Sequence, residues 1–249
     1  MRVIEVSRRP IAAGWGRCRS VRLLHFTAAP HRSQGDQRPL DPQNGGARVP
    51  HGCGWCQAGG VDSVDVKAFF EQVSARWDDM RSSFYNADVI DALVEHGRVT
   101  AKSRVADVGT GTGFVAAGLA GQAAAVIGID NSPAMLAVAA DNLAALGVDN
   151  VQLAEGELDN LPLPDDSVDA AVANMVLHHA PDPARMLAEM ARVVRPGGTI
   201  VITDEVEHPY EWMRTEQADI WLGFTPEQVE GYFQQGRLAE YGYSSLGMQ

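Results

Sequence analysis

Asp107-Val-Gly-Thr-Gly-Thr-Gly113 sets glycines at 109, 111 and 113 between a short apolar run and a helical one. Glycines so placed let the backbone turn tightly and approach a ligand closely. Asp107 stands two residues before the first of them, at the carboxyl end of a predicted strand, where open α/β sheets bind ligands. A second acid, Asp130, ends the next strand 21 residues after Gly109, where a carboxylate can grip both hydroxyls of a ribose. Further along, His178 and His179 follow a fourth apolar strand. They could take a proton from a reacting hydroxyl or amine, or they could serve as packing and cap residues.

Two cofactor chemistries share the glycine-rich geometry. A nicotinamide dinucleotide, and with it an oxidoreductase, needs a pyrophosphate on the helix N-terminus and the spacing G-x-G-x-x-G. Here the spacing is G-x-G-x-G, with Phe114 where the last glycine would fall, and the Asp107 carboxylate would repel a pyrophosphate. That carboxylate suits the cationic methionine portion of S-adenosylmethionine, so charge favours the methyl donor. A third reading is a module that binds donor or partner without turnover.

The elements that must position these residues follow from periodicity. Asp65–Met80 carries Val66, Phe69, Phe70, Val73 and Trp77 at helical spacing, and Asn86–His96 gives a second helix with Gly97 at a C-cap position. Strands are predicted over Arg104–Val108, Ala123–Asp130, Val151–Ala154, Val168–Ala173 and Thr199–Asp204. Helices are predicted from Gly113, from the Ser132-Pro133 start to about Leu146, and over Asp182–Val194, stopped by Arg195-Pro-Gly-Gly198. Helices over Glu211–Trp221 and from Thr225, then a strand over Tyr241–Leu246, complete the chain. This βαβ rhythm with continuous apolar strands predicts an α/β, Rossmann-like parallel sheet with helices on both faces.

Several motifs in order now carry a resemblance. Val105-Ala-Asp-Val-Gly-Thr-Gly-Thr-Gly113, Gly128-Ile-Asp-Asn-Ser-Pro-Ala-Met-Leu136, Glu155 to Asp169, Asn174-Met-Val-Leu-His-His179 with Asp182-Pro183, and Val194-Arg-Pro-Gly-Gly198 resemble the class I S-adenosylmethionine-dependent methyltransferase core. The match is to its small-molecule branch of quinone-biosynthesis and arsenite methyltransferases. The resemblance implies methyl transfer to a small-molecule acceptor by in-line displacement. It implies that Asp107, Gly109, Thr110, Gly111 and Gly113 border the methionine portion and that Asp130 binds the ribose. Asn131 and Met135 would flank the adenine, with Glu157, where the family usually has Asp, and Leu158 beside it. Asn174 would lie near the donor, and His178, His179 and Tyr85 are the catalytic candidates, with Trp77 and Tyr85 in helices that lid the donor. The family sheet ends in a sixth strand and an antiparallel seventh, for which no segment is left after Tyr241–Leu246, so the C-terminal strands are expected to be incomplete.

Composition bounds the rest. The 249 residues carry a net charge of −12, which argues against a nucleic-acid partner, and no apolar run is long enough to span a membrane. Residues 1–60 hold nine Arg against three acids, +6 in all, leaving −18 for the remainder. We expect 1–60 to be a disordered basic extension, 61–100 a helical lid and 101–249 the methyltransferase core. Periodicity in the extension does not persist beyond Val21–Phe26. The three cysteines, Cys18, Cys53 and Cys56, all lie in it. A cysteine-free core suits a cytoplasmic location. Cys53-Gly-Trp-Cys56, even with His51, falls short of a four-ligand zinc site, and no metal is expected. Nothing in the sequence indicates an oligomeric state.

Overall fold

A computed structural model describes residues 20–26, 65–82, 87–235, 238 and 240–245. Its centre is a seven-stranded sheet made of β1 (Ser20–Phe26), β2 (Arg104–Val108), β3 (Ala125–Asp130), β4 (Val151–Glu155), β5 (Val168–Asn174), β6 (Val194–Glu205) and β7 (Glu240–Ser245). The order is β4-β3-β2-β5-β6-β1-β7, and every pairing is parallel. From β2 the chain builds outward through β3 and β4, then crosses back to lay β5 on the other side of β2. This reversal opens a crevice at the carboxyl ends of β2 and β5, where doubly wound sheets bind ligands.

Helices cover both faces because alternate strand residues point to opposite sides. Val105, Val126, Ala170, Val172 and Val201 pack under α3 (Asp88–Gly97) and α4 (Phe114–Ala120). Ala106, Ile127, Ile129, Ala171 and Ile202 pack with α6 (Pro183–Val193) and α8 (Pro226–Gln235) on the other. Between β3 and β4, α5 (Pro133–Ala145) starts as predicted, with Ser132 Oγ accepting the Met135 amide and Pro133 in the first turn. Asp182 caps α6 by accepting the Arg185 amide.

Four expectations are corrected. The predicted Asp65–Met80 helix is two, α1 (Val66–Val73) and α2 (Trp77–Arg81), separated by a 3-10 turn at Ser74–Arg76. The residue ending α3 in the left-handed region is Arg98 (φ 51°), with Gly97 still helical. Arg195-Pro-Gly-Gly198 ends α6 from inside β6, with Gly197 at φ 80°, and only Trp212–Glu216 of the predicted Glu211–Trp221 helix forms, as α7.

At the sheet edge β1, from the segment expected to be disordered, lies between β6 and β7, and both of its pairings are parallel. Ser20 aligns with Thr199 on one side and with Glu240 on the other. Tyr85 and all three cysteines lie outside the described residues. Among the described residues, no helix is long and apolar enough to cross a membrane.

Candidate active site

The glycine-rich loop leaves β2 with its backbone committed to shapes that side chains resist. Gly109, Gly111 and Gly113 have φ of 72°, 53° and 84°. A Cβ on Gly109 would fall 2.4 Å from the side chain of Val176, so this glycine permits both the turn and the close crossing of the β5 loop. A Cβ on Gly111 would lie at ordinary contact distance, 3.8 Å, from both Met135 Cε and Trp77 Nε1, so these two side chains form the rim of a cradle at the loop's crest.

Two carboxylates frame that cradle. Asp107 is buried and accepts the Thr110 hydroxyl at 2.6 Å. Burial lifts its pKa to about 7, the Thr110 and Ala116 hydrogen bonds only partly opposing. Asp130 accepts the Gly111 amide through Oδ2 and the Ser132 amide through Oδ1, both at 2.9 Å, and burial again raises its pKa. The acid expected to grip a ribose therefore also fixes the loop. Asn131 donates to Glu157, Met135 is buried against Gly111, Leu158 packs at the edge of the core, and buried Asn174 accepts the Thr203 hydroxyl.

Asp78, which sequence reasoning missed, ties α2 to this loop. Its carboxylate accepts from Thr112 Oγ1 (2.8 Å), Asn142 Nδ2 (3.1 Å) and Arg81 Nε (2.7 Å). Partial burial works against the charge, but these donors hold the carboxyl below its ordinary range. The Asp78 hydrogen bonds set Trp77 over Gly111, and Phe70 then bridges Trp77 to His179 with edge-on ring contacts of 5.0 Å each.

Across the crevice, His178 and His179 sit in a buried 3-10 turn after β5. His178 Nδ1 lies 2.7 Å from Asp204 Oδ1, while the other oxygen of Asp204 accepts the Val176 and Leu177 amides. Burial pushes the His178 imidazole down, but Asp204, with Asp219 and Glu205, outweighs it and lifts the pKa to about 10. His179 Nδ1 meets the Ala218 carbonyl at 3.2 Å, and burial with the neighbouring His178 charge keeps its pKa well below the usual value. A pocket opens here, walled by Trp77, Met175 and Met213 and floored by the two histidines, Glu205 and Asp219. Asp204, Glu205 and Asp219 were not singled out from the sequence. The usable signal was Asp204-Glu205 at the carboxyl end of an otherwise apolar strand, whereas Asp219 sits in a segment whose form is set by tertiary contacts.

The doubly wound sheet, glycine-rich loop, strand-end acids and adjoining pocket are shared by more than one class of nucleotide-binding enzyme, and the comparisons with known proteins place this domain among the class I S-adenosylmethionine-dependent methyltransferases. Residues 106–202 match the family model described as a methyltransferase domain, which decides against the dinucleotide reading. An arsenite methyltransferase from Halobacterium salinarum is 39% identical over 106 residues, 41% of this chain and 27% of the relative. A chloroplastic 2-methyl-6-phytyl-1,4-hydroquinone methyltransferase 2 from Oryza sativa subsp. japonica is 36% identical over 140 residues, 55% of this chain and 39% of the relative. The chain thus spans less than half the length of these two curated relatives. Among solved structures, an S-adenosylmethionine-dependent methyltransferase from Aquifex aeolicus shares the fold, with a TM-score of 0.56, 24% identity, and 67% of this chain and 87% of that one covered.

Proposed function

We propose that this protein transfers a methyl group from S-adenosylmethionine to a small-molecule acceptor by in-line displacement. The observation that carries this reading is the placement of Trp77. Its indole borders the glycine-rich loop at Gly111 and also walls the pocket that ends on His178 and His179. Donor and acceptor sites then share one wall, the arrangement that in-line attack requires.

The residues fit that donor. Met135 and Trp77 border the loop at Gly111, a buried carboxylate at Asp107 suits a cationic group, and Asp130 ends the neighbouring strand. When bound, S-adenosylmethionine supplies a methyl group made electrophilic by its positive sulfur. Asp107 faces the cationic methionine portion, with Thr110 and the loop glycines around it. Asp130 accepts the ribose hydroxyls, while Asn131, Met135, Glu157 and Leu158 border the adenine. Asn174, pinned by Thr203, closes the end of β5. Phe70 and Trp77 exclude water, and the histidine turn is where an acceptor hydroxyl gives up its proton. The acidic, cysteine-free core suits a cytoplasmic location.

Calorimetry with S-adenosylmethionine, S-adenosylhomocysteine and NADH is expected to show binding of the first two alone. No binding of S-adenosylmethionine at millimolar concentration overturns the proposal. With donor present, mass spectrometry across quinol, phenol and arsenite acceptors identifies which one gains a methyl group.

A further inference from the structure

The pocket floor holds more buried charge than proton handling by two histidines requires. Both oxygens of Asp219 and Oε1 of Glu205 are buried without a hydrogen-bond partner. His178 Nε2 lies 3.7 Å from Asp219 Oδ1, outside hydrogen-bonding range. A buried carboxylate with no donor is costly, and a site that keeps one is built to meet something with positive charge.

One of the two imidazoles beside it is turned to provide an electron pair. A carbonyl oxygen only accepts, so the His179 contact to Ala218 places the proton on Nδ1 and leaves Nε2 with its lone pair free to coordinate. His178 has its Nδ1 on the Asp204 carboxylate and its Nε2 toward Asp219, and the extra proton that this imidazole carries in the metal-free chain leaves when Nε2 coordinates. Imidazoles backed by a carboxylate or carbonyl are the arrangement that orients histidine ligands on metal ions. Ligand atoms from His178, His179 and Asp219 lie within 4.8 Å of one another, and so do those from Glu205, His208 and Asp219. Asp219 belongs to both sets, and His208 Nε2 is 2.7 Å from Glu205 Oε2, which orients the second carboxylate.

We propose that His178, His179 and Asp219, with Glu205 behind them, bind a divalent first-row transition-metal ion at the floor of this pocket. Two imidazoles and a carboxylate suit zinc, iron or manganese better than calcium or magnesium, which favour all-oxygen shells, and the set has no thiolate to select copper(I). Three protein ligands with the pocket side open leave a position for one oxygen of a bound molecule. Resting on the reading given under the proposed function, that open position narrows the acceptor to one presenting a hydroxyl, such as a phenol or hydroquinone, since a metal ion makes such a hydroxyl more acidic.

The test uses the full chain, stripped with chelator, dialysed against zinc(II) and assayed by elemental analysis. About one zinc ion per chain is expected in the native protein, falling below roughly a tenth in Asp219→Asn and in His179→Ala. Cys53→Ser/Cys56→Ser is expected to keep its zinc. Calorimetry with S-adenosylmethionine on the same samples is expected to show saturable donor binding in each of them; such binding reports intact folding and keeps this test separate from that of methyl transfer. Less than roughly a tenth of an equivalent in the native chain overturns the proposal. So does metal that survives Asp219→Asn and His179→Ala in folded, donor-binding protein, or that vanishes with the cysteines.

Discussion

Replacing Asp107 by Asn removes a buried charge without changing side-chain shape. In the ligand-free protein this carboxyl has a pKa of about 7, against an ordinary 3.8, because burial outweighs its hydrogen bonds. That difference corresponds to a penalty on the order of 4 kcal/mol once the group is fully ionised. Below about pH 4 the carboxyl is protonated whether the chain is folded or unfolded, and no penalty operates. Between about pH 4 and 7 the native state holds a proton that the unfolded chain has released, so stability falls as pH rises by roughly 1.4 kcal/mol per pH unit, then levels off. Asn does not titrate. Whatever it gains or loses by repacking against Thr110 is the same at every pH, so the pH dependence isolates the charge. Urea denaturation at about pH 5 and about pH 8.5 is therefore expected to show Asp107→Asn gaining about 2.5 kcal/mol on the native protein between the two conditions. Donor affinity should move the other way, at least about tenfold weaker in the variant at the higher pH, where the native carboxylate faces a cation. In the native protein, affinity should weaken as pH falls through about 7, approaching tenfold per pH unit. A stability difference that does not change with pH would refute the reasoning, because it would mean that Asp107 is not a buried ionising group.

Other expectations are more direct. Asp130→Ala is expected to weaken S-adenosylmethionine binding at least about tenfold by calorimetry, since a charged bidentate contact contributes about 1.5–3 kcal/mol; unchanged affinity would mean the ribose lies elsewhere. Gly109→Ala combines a positive φ with a 2.4 Å approach to Val176 and is expected to lose at least about 2 kcal/mol in denaturant unfolding, part of it recovered by adding Val176→Ala. Asp78→Ala frees α2 from Thr112 and Asn142 and should weaken donor binding several-fold while shifting the melting temperature by only a few degrees, because these contacts lie near the surface.

Strands β3 and β5 and the Thr199–Asp204 part of β6 were legible because each is a largely apolar run, and α5 and α6 because Ser132-Pro133 and Asp182-Pro183 are local capping signals acting within four residues. The break at Ser74–Arg76 was not legible. Val66, Phe69, Phe70, Val73 and Trp77 keep helical phase through it, and what settles the geometry is the bonding of Asp78 to Thr112 and Asn142, 34 and 64 residues away. Strand β1 was hidden for the same reason, since its partners begin at Thr199. Asp107 and Asp130 could be placed from the sequence because each ends a strand at fixed spacing. The cluster around Asp219 could not, because it joins residues from the β5 turn, the end of β6 and the loop after α7, which only the packed fold brings together.

Val176 belongs to two environments at once. Its side chain presses on Gly109 in the glycine-rich loop, and its amide is held by Asp204, whose other oxygen holds His178. A displacement of the histidine turn cannot leave the glycine loop untouched, for there is no slack at a site where even a Cβ would not fit. The two ligands are therefore expected to bind with cooperativity. By reciprocity, the factor by which the first to arrive tightens or loosens its companion is the factor it experiences in return.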